Sequence, residues 1–125
     1  MSREEHGVLT QETIPGLLRA AAARYGDHPA YVERGASLSY AELLDAVRAV
    51  ARSYLSHDVQ VGDRIVIWAP NSTAWAVAAL ATTYVGATLV PANSRYTAHE
   101  VADLVQRTGA RVAVVADGFL GGSQL

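Results

Sequence analysis

At 125 residues, half of them hydrophobic, the chain is long enough to bury the core of one domain. A formal net charge of -2 gives it no polyelectrolyte character, which removes nucleic acid and anionic membrane surfaces as expected partners. It contains no cysteine, which excludes disulfides, thiolate nucleophiles and thiolate metal sites and agrees with a reducing cytoplasm, the location expected for it.

Residues 1–12 read as a flexible lead-in without periodicity. The opening MSREEHGV lacks the apolar core and small-residue cleavage site of a secretory signal, so none is expected there. A first helix is predicted from near Thr13, with Pro15 at the first helical position, an apolar stripe of Leu17, Leu18, Ala21 and Ala22, and Gly26 as its stop. PAYVE and ASLS then flank Arg34 and Gly35, the pattern of a β-hairpin. Ser39 and Glu42 have the S-x-x-E spacing of a capping box. The helix that follows carries Leu43, Val47, Val50 and Tyr54 on one face and Asp45, Arg48 and Arg52 on the other, and is expected to pack against a sheet.

The centre of the chain is GDRIVIWAPNSTAWAVAALATTYVGATLVP, read as strand, turn, helix, strand. Two strands joined by a helix of this length must run parallel, because a tight hairpin cannot connect them. Residues 74–92 carry no charge and approach the length of a membrane span, but alanine and threonine dominate them and Gly86 and Pro91 interrupt them. They are expected to split into a helix and a strand. Thr97 and Glu100 form a second capping box, a helix runs to about Arg107, Gly109 stops it, and RVAVVA is a third apolar strand. The fold class is α/β: an open, mainly parallel βαβαβ sheet preceded by a helix and a hairpin. With so few helices, the second face of that sheet is expected to be poorly covered and its edges unprotected, which predicts self-association through exposed sheet edges.

Open α/β sheets bind ligands beyond the carboxyl ends of their strands. Two loops fall there, APNST and PANSRYT. In the first, Asn71, Ser72 and Thr73 could meet a phosphate, but capping the next helix is the simpler use, since no basic or glycine residue accompanies them. In the second, Arg95 precedes a helix start, where its guanidinium could hold a phosphate or pair with Glu100 or a backbone carbonyl. No G-x-G-x-x-G follows a strand, and neither G-x-x-x-x-G-K-[ST], G-x-S-x-G nor H-E-x-x-H occurs. His6, His28, His57 and His99 are scattered and read as solvated rather than metal-binding. Trp68 and Trp75 could line a pocket, although packing is the simpler role, and Gly121 and Gly122 have no helix or lysine behind them.

In order and spacing, LSYAEL, VGDRIVIWAPNS, a small-residue helix closing in GA, VPANSRYTAHE and GARVAVVAD resemble the adenylate-forming acyl-CoA synthetases, AMP-forming ligases, over nearly the whole chain from Thr13. IWAPN, RYTAHE and GFLG are similar to segments of actinobacterial fatty-acyl-CoA ligase types, including those acting on cholesterol ring fragments such as hexahydroindanone propionate. The resemblance implies a two-step reaction. ATP, with magnesium, and a carboxylic or fatty acid give an acyl adenylate and pyrophosphate, and coenzyme A then displaces AMP. It also implies that residues 13–125 are part of an N-terminal domain that stops before the lysine-bearing loop holding the ATP phosphates. No catalytic residue is then expected in the chain, no cofactor is expected to bind it alone, and the isolated chain is expected to be inactive. By the same resemblance Arg95, and more weakly Asn93, would face the phosphates of coenzyme A. The alternatives are a non-catalytic α/β module that dimerises or binds a partner chain, and a small nucleotide-binding domain, which would need ATP affinity of its own.

Overall fold

In a computed structural model that describes residues 13–116, the chain forms α1 (Ile14–Tyr25), β1 (Pro29–Glu33), β2 (Ala36–Ser39), α2 (Tyr40–Ser56), β3 (Arg64–Trp68), α3 (Thr73–Tyr84), β4 (Thr88–Pro91), α4 (Ala98–Thr108) and β5 (Val112–Val115). Every element expected within those residues is present. The lead-in, His6, Gly121 and Gly122 lie outside them.

Local chemistry sets most of the boundaries. Thr13 caps α1 through its Oγ1, which accepts from the Gly16 amide at 3.0 Å, so Ile14 is the first helical residue and Pro15 the second. The missing N–H costs nothing at either place, because the first four amides of a helix have no partner within it. Gly26 ends α1 in right-handed rather than left-handed geometry; an added Cβ would sit 2.9 Å from the Ala22 carbonyl oxygen. In the hairpin Arg34 and Gly35 both have positive φ, as a two-residue turn between right-twisted strands requires. Both capping boxes close, Ser39 with Glu42 and Thr97 with Glu100. At the end of α3 the amides of Gly86 and Ala87 return to the carbonyls of Thr83 and Thr82, the paired bonds of a Schellman stop.

The three-stranded sheet has the order β4-β3-β5, with both pairings parallel. Alternation along the central strand divides the core. Ile65 and Ile67 face a large cluster with Leu18, Leu43, Val47, Ala51, Tyr54 and the alanines of α3, whereas Val66 and Trp68 face a smaller one with Ala92 and Val101.

Two expectations need correction here. Helix α2 packs chiefly on α3 and α1 and touches the hairpin; α3 is the helix that rests on β3 and β4. Contact on both sides explains why α3 is apolar around its circumference and why Ala76, Val77, Ala78, Ala79, Ala81 and Thr82 are all buried. The second sheet face is also better covered than its helix count suggests. Val101, Leu104 and Val105 of α4 close over Val66 and Trp68, which are buried. Among the described residues β4 and β5 each keep one unpaired edge, and no helix is long and apolar enough to cross a membrane.

Candidate functional site

Because the three strands are parallel, the loops that follow β3 and β4 emerge at the same end of the sheet. The two helices that begin there already have side chains on their first amides. Ser72 Oγ accepts from the Trp75 amide at 3.1 Å, which is the capping role expected in APNST. The Thr73 amide donates to Glu33 Oε1 at 3.0 Å, so a carboxylate from the hairpin sits where an external anion would otherwise go. At α4, Glu100 Oε1 accepts from the Thr97 amide at 3.0 Å, and Thr97 Oγ1 accepts from the Glu100 amide at 3.2 Å.

The loop between β4 and α4 is shaped by Asn93. Its Oδ1 accepts from the Arg95 amide at 2.9 Å, and its carbonyl accepts from the Tyr96 amide at 2.9 Å, so side chain and backbone build one compact turn. The Ala92 amide donates to the Ile67 carbonyl and ties the start of the loop to the central strand. Tyr96 packs into the smaller core cluster and fixes the other end. Arg95 is exposed between these anchors, and its guanidinium has no ion pair or hydrogen bond among the described residues. The expected alternative of a pair with Glu100 is not formed; the Oε1 of that carboxylate accepts from the Thr97 amide instead. Asn93 is also exposed, but its Oδ1 is taken by the turn.

A groove of about 360 Å³ between the hairpin and the start of α3 is lined by Tyr31, Val32, Glu33, Ser72, Thr73 and Trp75. Trp75 therefore lines a pocket, whereas Trp68 is buried in the core. His28, His57 and His99 are exposed, and no group of three metal-ligating side chains occurs among the described residues. His57 Nδ1 lies 2.8 Å from the Ser53 carbonyl, a local bond at the end of α2. Sequence reading missed Glu33. It lies 40 residues from the amide it accepts from, and nothing in PAYVE indicates that contact.

Capping side chains already occupy amides at the starts of α3 and α4, so a phosphate at this end of the sheet would be held by a charged side chain. All ten positive charges in the sequence are arginines, so no lysine is available to such chemistry, and Arg95 is the one cation that the loop presents to solvent. An exposed guanidinium of this kind has the donor geometry to pair with an oxyanion.

Comparison with known proteins agrees with this scaffold. Residues 18–124 match the family described as AMP-binding enzyme. The chain is 44% identical over 109 residues, 87% of its length, to a methyl-dioxo-octahydro-indenyl propanoyl:CoA ligase of Rhodococcus jostii, and 39% identical over 109 residues to the ligase of the same description in Mycobacterium tuberculosis. It spans 21% and 22% of those two proteins. Among solved structures, the N-terminal domain of FACL13 from Mycobacterium tuberculosis superposes with a TM-score of 0.77 at 27% identity, covering 82% of this chain and 26% of that one. The chain belongs to the family of AMP-binding enzymes, whose relatives here are named acyl-CoA ligases.

Proposed function

We propose that this chain is the opening part of the N-terminal domain of an AMP-forming acyl-CoA ligase acting in the cytoplasm. In the complete enzyme, a carboxylic acid, ATP and coenzyme A give acyl-CoA, AMP and pyrophosphate through an acyl adenylate, with magnesium on the ATP phosphates. The family match over residues 18–124 is the observation that carries this reading. The names of the two curated relatives make a propanoate side chain on a fused bicyclic ketone the first acid to test.

Within that enzyme, residues 13–116 act as scaffold, and the described residues do not suit ATP: the sequence has no lysine, and Glu33 occupies the start of α3. Coenzyme A suits them better at one point. The exposed guanidinium of Arg95, held by the Asn93 turn, offers two parallel N–H donors to a phosphate. Asn93 supports this contact by fixing the Arg95 backbone rather than by binding the ligand itself.

A chimera tests both statements. Residues 14–116 replace the matched segment of the Rhodococcus ligase, and acyl-CoA formation is expected to stay within about tenfold of the parent. A chimera that folds but forms neither adenylate nor thioester would overturn the family function. The 125-residue chain alone should catalyse no pyrophosphate exchange. In the chimera, Arg95→Ala is expected to raise KM for coenzyme A while leaving pyrophosphate exchange intact. An equal loss in exchange would remove the coenzyme A assignment and leave the ligase reading standing.

A further inference from the structure

On the face of the molecule formed by α1, α2 and the end of α3, two arginines meet one phenol and a third shares the groove beside it. Arg48 Nε donates to Tyr84 Oη at 3.2 Å, and the Arg19 guanidinium lies 5.8 Å from the centre of the Tyr84 ring. Arg52 follows Arg48 by one helical turn on the same side of α2. Arg48, Arg52 and Tyr84 line a groove of about 320 Å³ whose remaining walls are Ala51, Leu55 and Val85. Leu55 is 56% exposed although apolar.

The cations could simply offset the negative end of the α3 dipole. That explanation is weak here, because the carbonyls of Ala81, Thr82 and Thr83 already accept from the amides of Val85, Ala87 and Gly86. None of the three arginines forms an ion pair among the described residues, Asp45 one turn before Arg48 included. Two guanidinium groups, Arg48 and Arg52, thus stand beside an apolar floor without an ion pair among the described residues, and Arg19 adds a third positive charge on the far side of Tyr84. The same surroundings hold the Tyr84 phenol below its ordinary range, the Arg48 hydrogen bond being the larger cause and Arg19 the next.

We propose that this groove binds a small phosphate monoester, with the phosphate gripped by Arg48 and Arg52 and the apolar portion lying on Leu55 and Val85. The Arg48 Nε bond to Tyr84 orients that guanidinium and leaves its terminal nitrogens free to meet two phosphate oxygens. A phosphate monoester, with a charge near -2 at neutral pH, matches several guanidinium groups better than a single carboxylate does. The site is separate from the Arg95 loop and does not depend on the ligase reading.

The test uses the 125-residue chain and follows the Tyr84 ring and the arginine Nε–H signals by NMR during titration with phenyl phosphate. Inorganic phosphate and benzyl alcohol serve as separate probes of the two halves of the ligand. Saturable shifts with a Kd of about 1 mM are expected for phenyl phosphate, weakening as salt rises. Arg48→Gln and Arg52→Gln should each weaken binding about tenfold, whereas Arg107→Gln on α4 should leave it unchanged. Arg48→Lys keeps the charge but loses the fork, and should bind nearly as poorly as Arg48→Gln. The absence of saturable shifts would overturn the proposal, as would equal losses in the Arg107 variant or undiminished binding by Arg48→Lys. Inorganic phosphate binding as tightly as phenyl phosphate would overturn the role given to Leu55 and Val85.

Discussion

Tyr54 joins α2 to α3 at the centre of the larger core. Its ring is 4% exposed, and its hydroxyl donates to the Ala78 carbonyl at 3.0 Å. The cost of Tyr54→Phe depends on what that carbonyl retains. Thr82 Oγ1 also donates to it at 2.9 Å, and the Thr82 amide reaches it in the helical ladder. The acceptor therefore stays satisfied and no unpaired buried polar group remains. The loss is that of one net hydrogen bond, about 1 kcal/mol, rather than the several expected when a buried partner is orphaned. Tyr54→Ala removes the whole ring and should cost about 3–5 kcal/mol.

The alkaline limb gives an independent readout. Burial pushes the Tyr54 phenol above 10.0, with the nearby Thr82 hydroxyl working in the other direction. The folded state thus holds this proton more tightly than the unfolded chain. The contribution is fully present below the unfolded phenol pKa and is lost as pH rises from there through the higher folded value. Equilibrium unfolding in urea, followed by tryptophan fluorescence between neutral pH and pH 11, should show a falling limb above about pH 10 that Tyr54→Phe reduces. If Tyr54→Phe costs more than about 2 kcal/mol with an unchanged m-value, the carbonyl is not shared as described and the reasoning fails.

At the acid end, the Ser39 backbone amide and then its hydroxyl lower the Glu42 carboxyl below 4.5. Its contribution is present above the unfolded value and disappears as pH falls through the lower folded one, so Glu42→Gln should flatten the acid limb of an unfolding profile. Ser39→Ala should destabilise by about 1 kcal/mol in the same urea assay, the usual cost of losing an N-cap. Gly26→Ala places a Cβ against backbone and should cost about 2 kcal/mol. Gly109→Ala meets open space at φ +66 and should lose only about 1 kcal/mol. Light scattering of the 125-residue chain should show concentration-dependent association through the free edges of β4 and β5; a monomer at every concentration would count against it.

The sequence by itself determined the parts whose causes are local. Ser39 with Glu42, Thr97 with Glu100, and Arg34 with Gly35 each act within a few residues, so their spacing alone predicts where helices begin and where the hairpin turns. The βαβαβ order followed from the same periodicities, and the order of short segments resembled the family that the comparisons then established.

Tertiary structure decided which apolar face meets which. A stripe on α2 shows that the helix packs but not against what, and only the fold inserts α3 between α2 and the sheet. It also decided that Glu33 reaches the start of α3, that α4 covers Val66 and Trp68, and that Arg95 has no ion pair among the described residues while Glu100 turns to its own cap. Each of the first two contacts joins segments more than thirty residues apart, where chain closure rather than local preference sets the geometry.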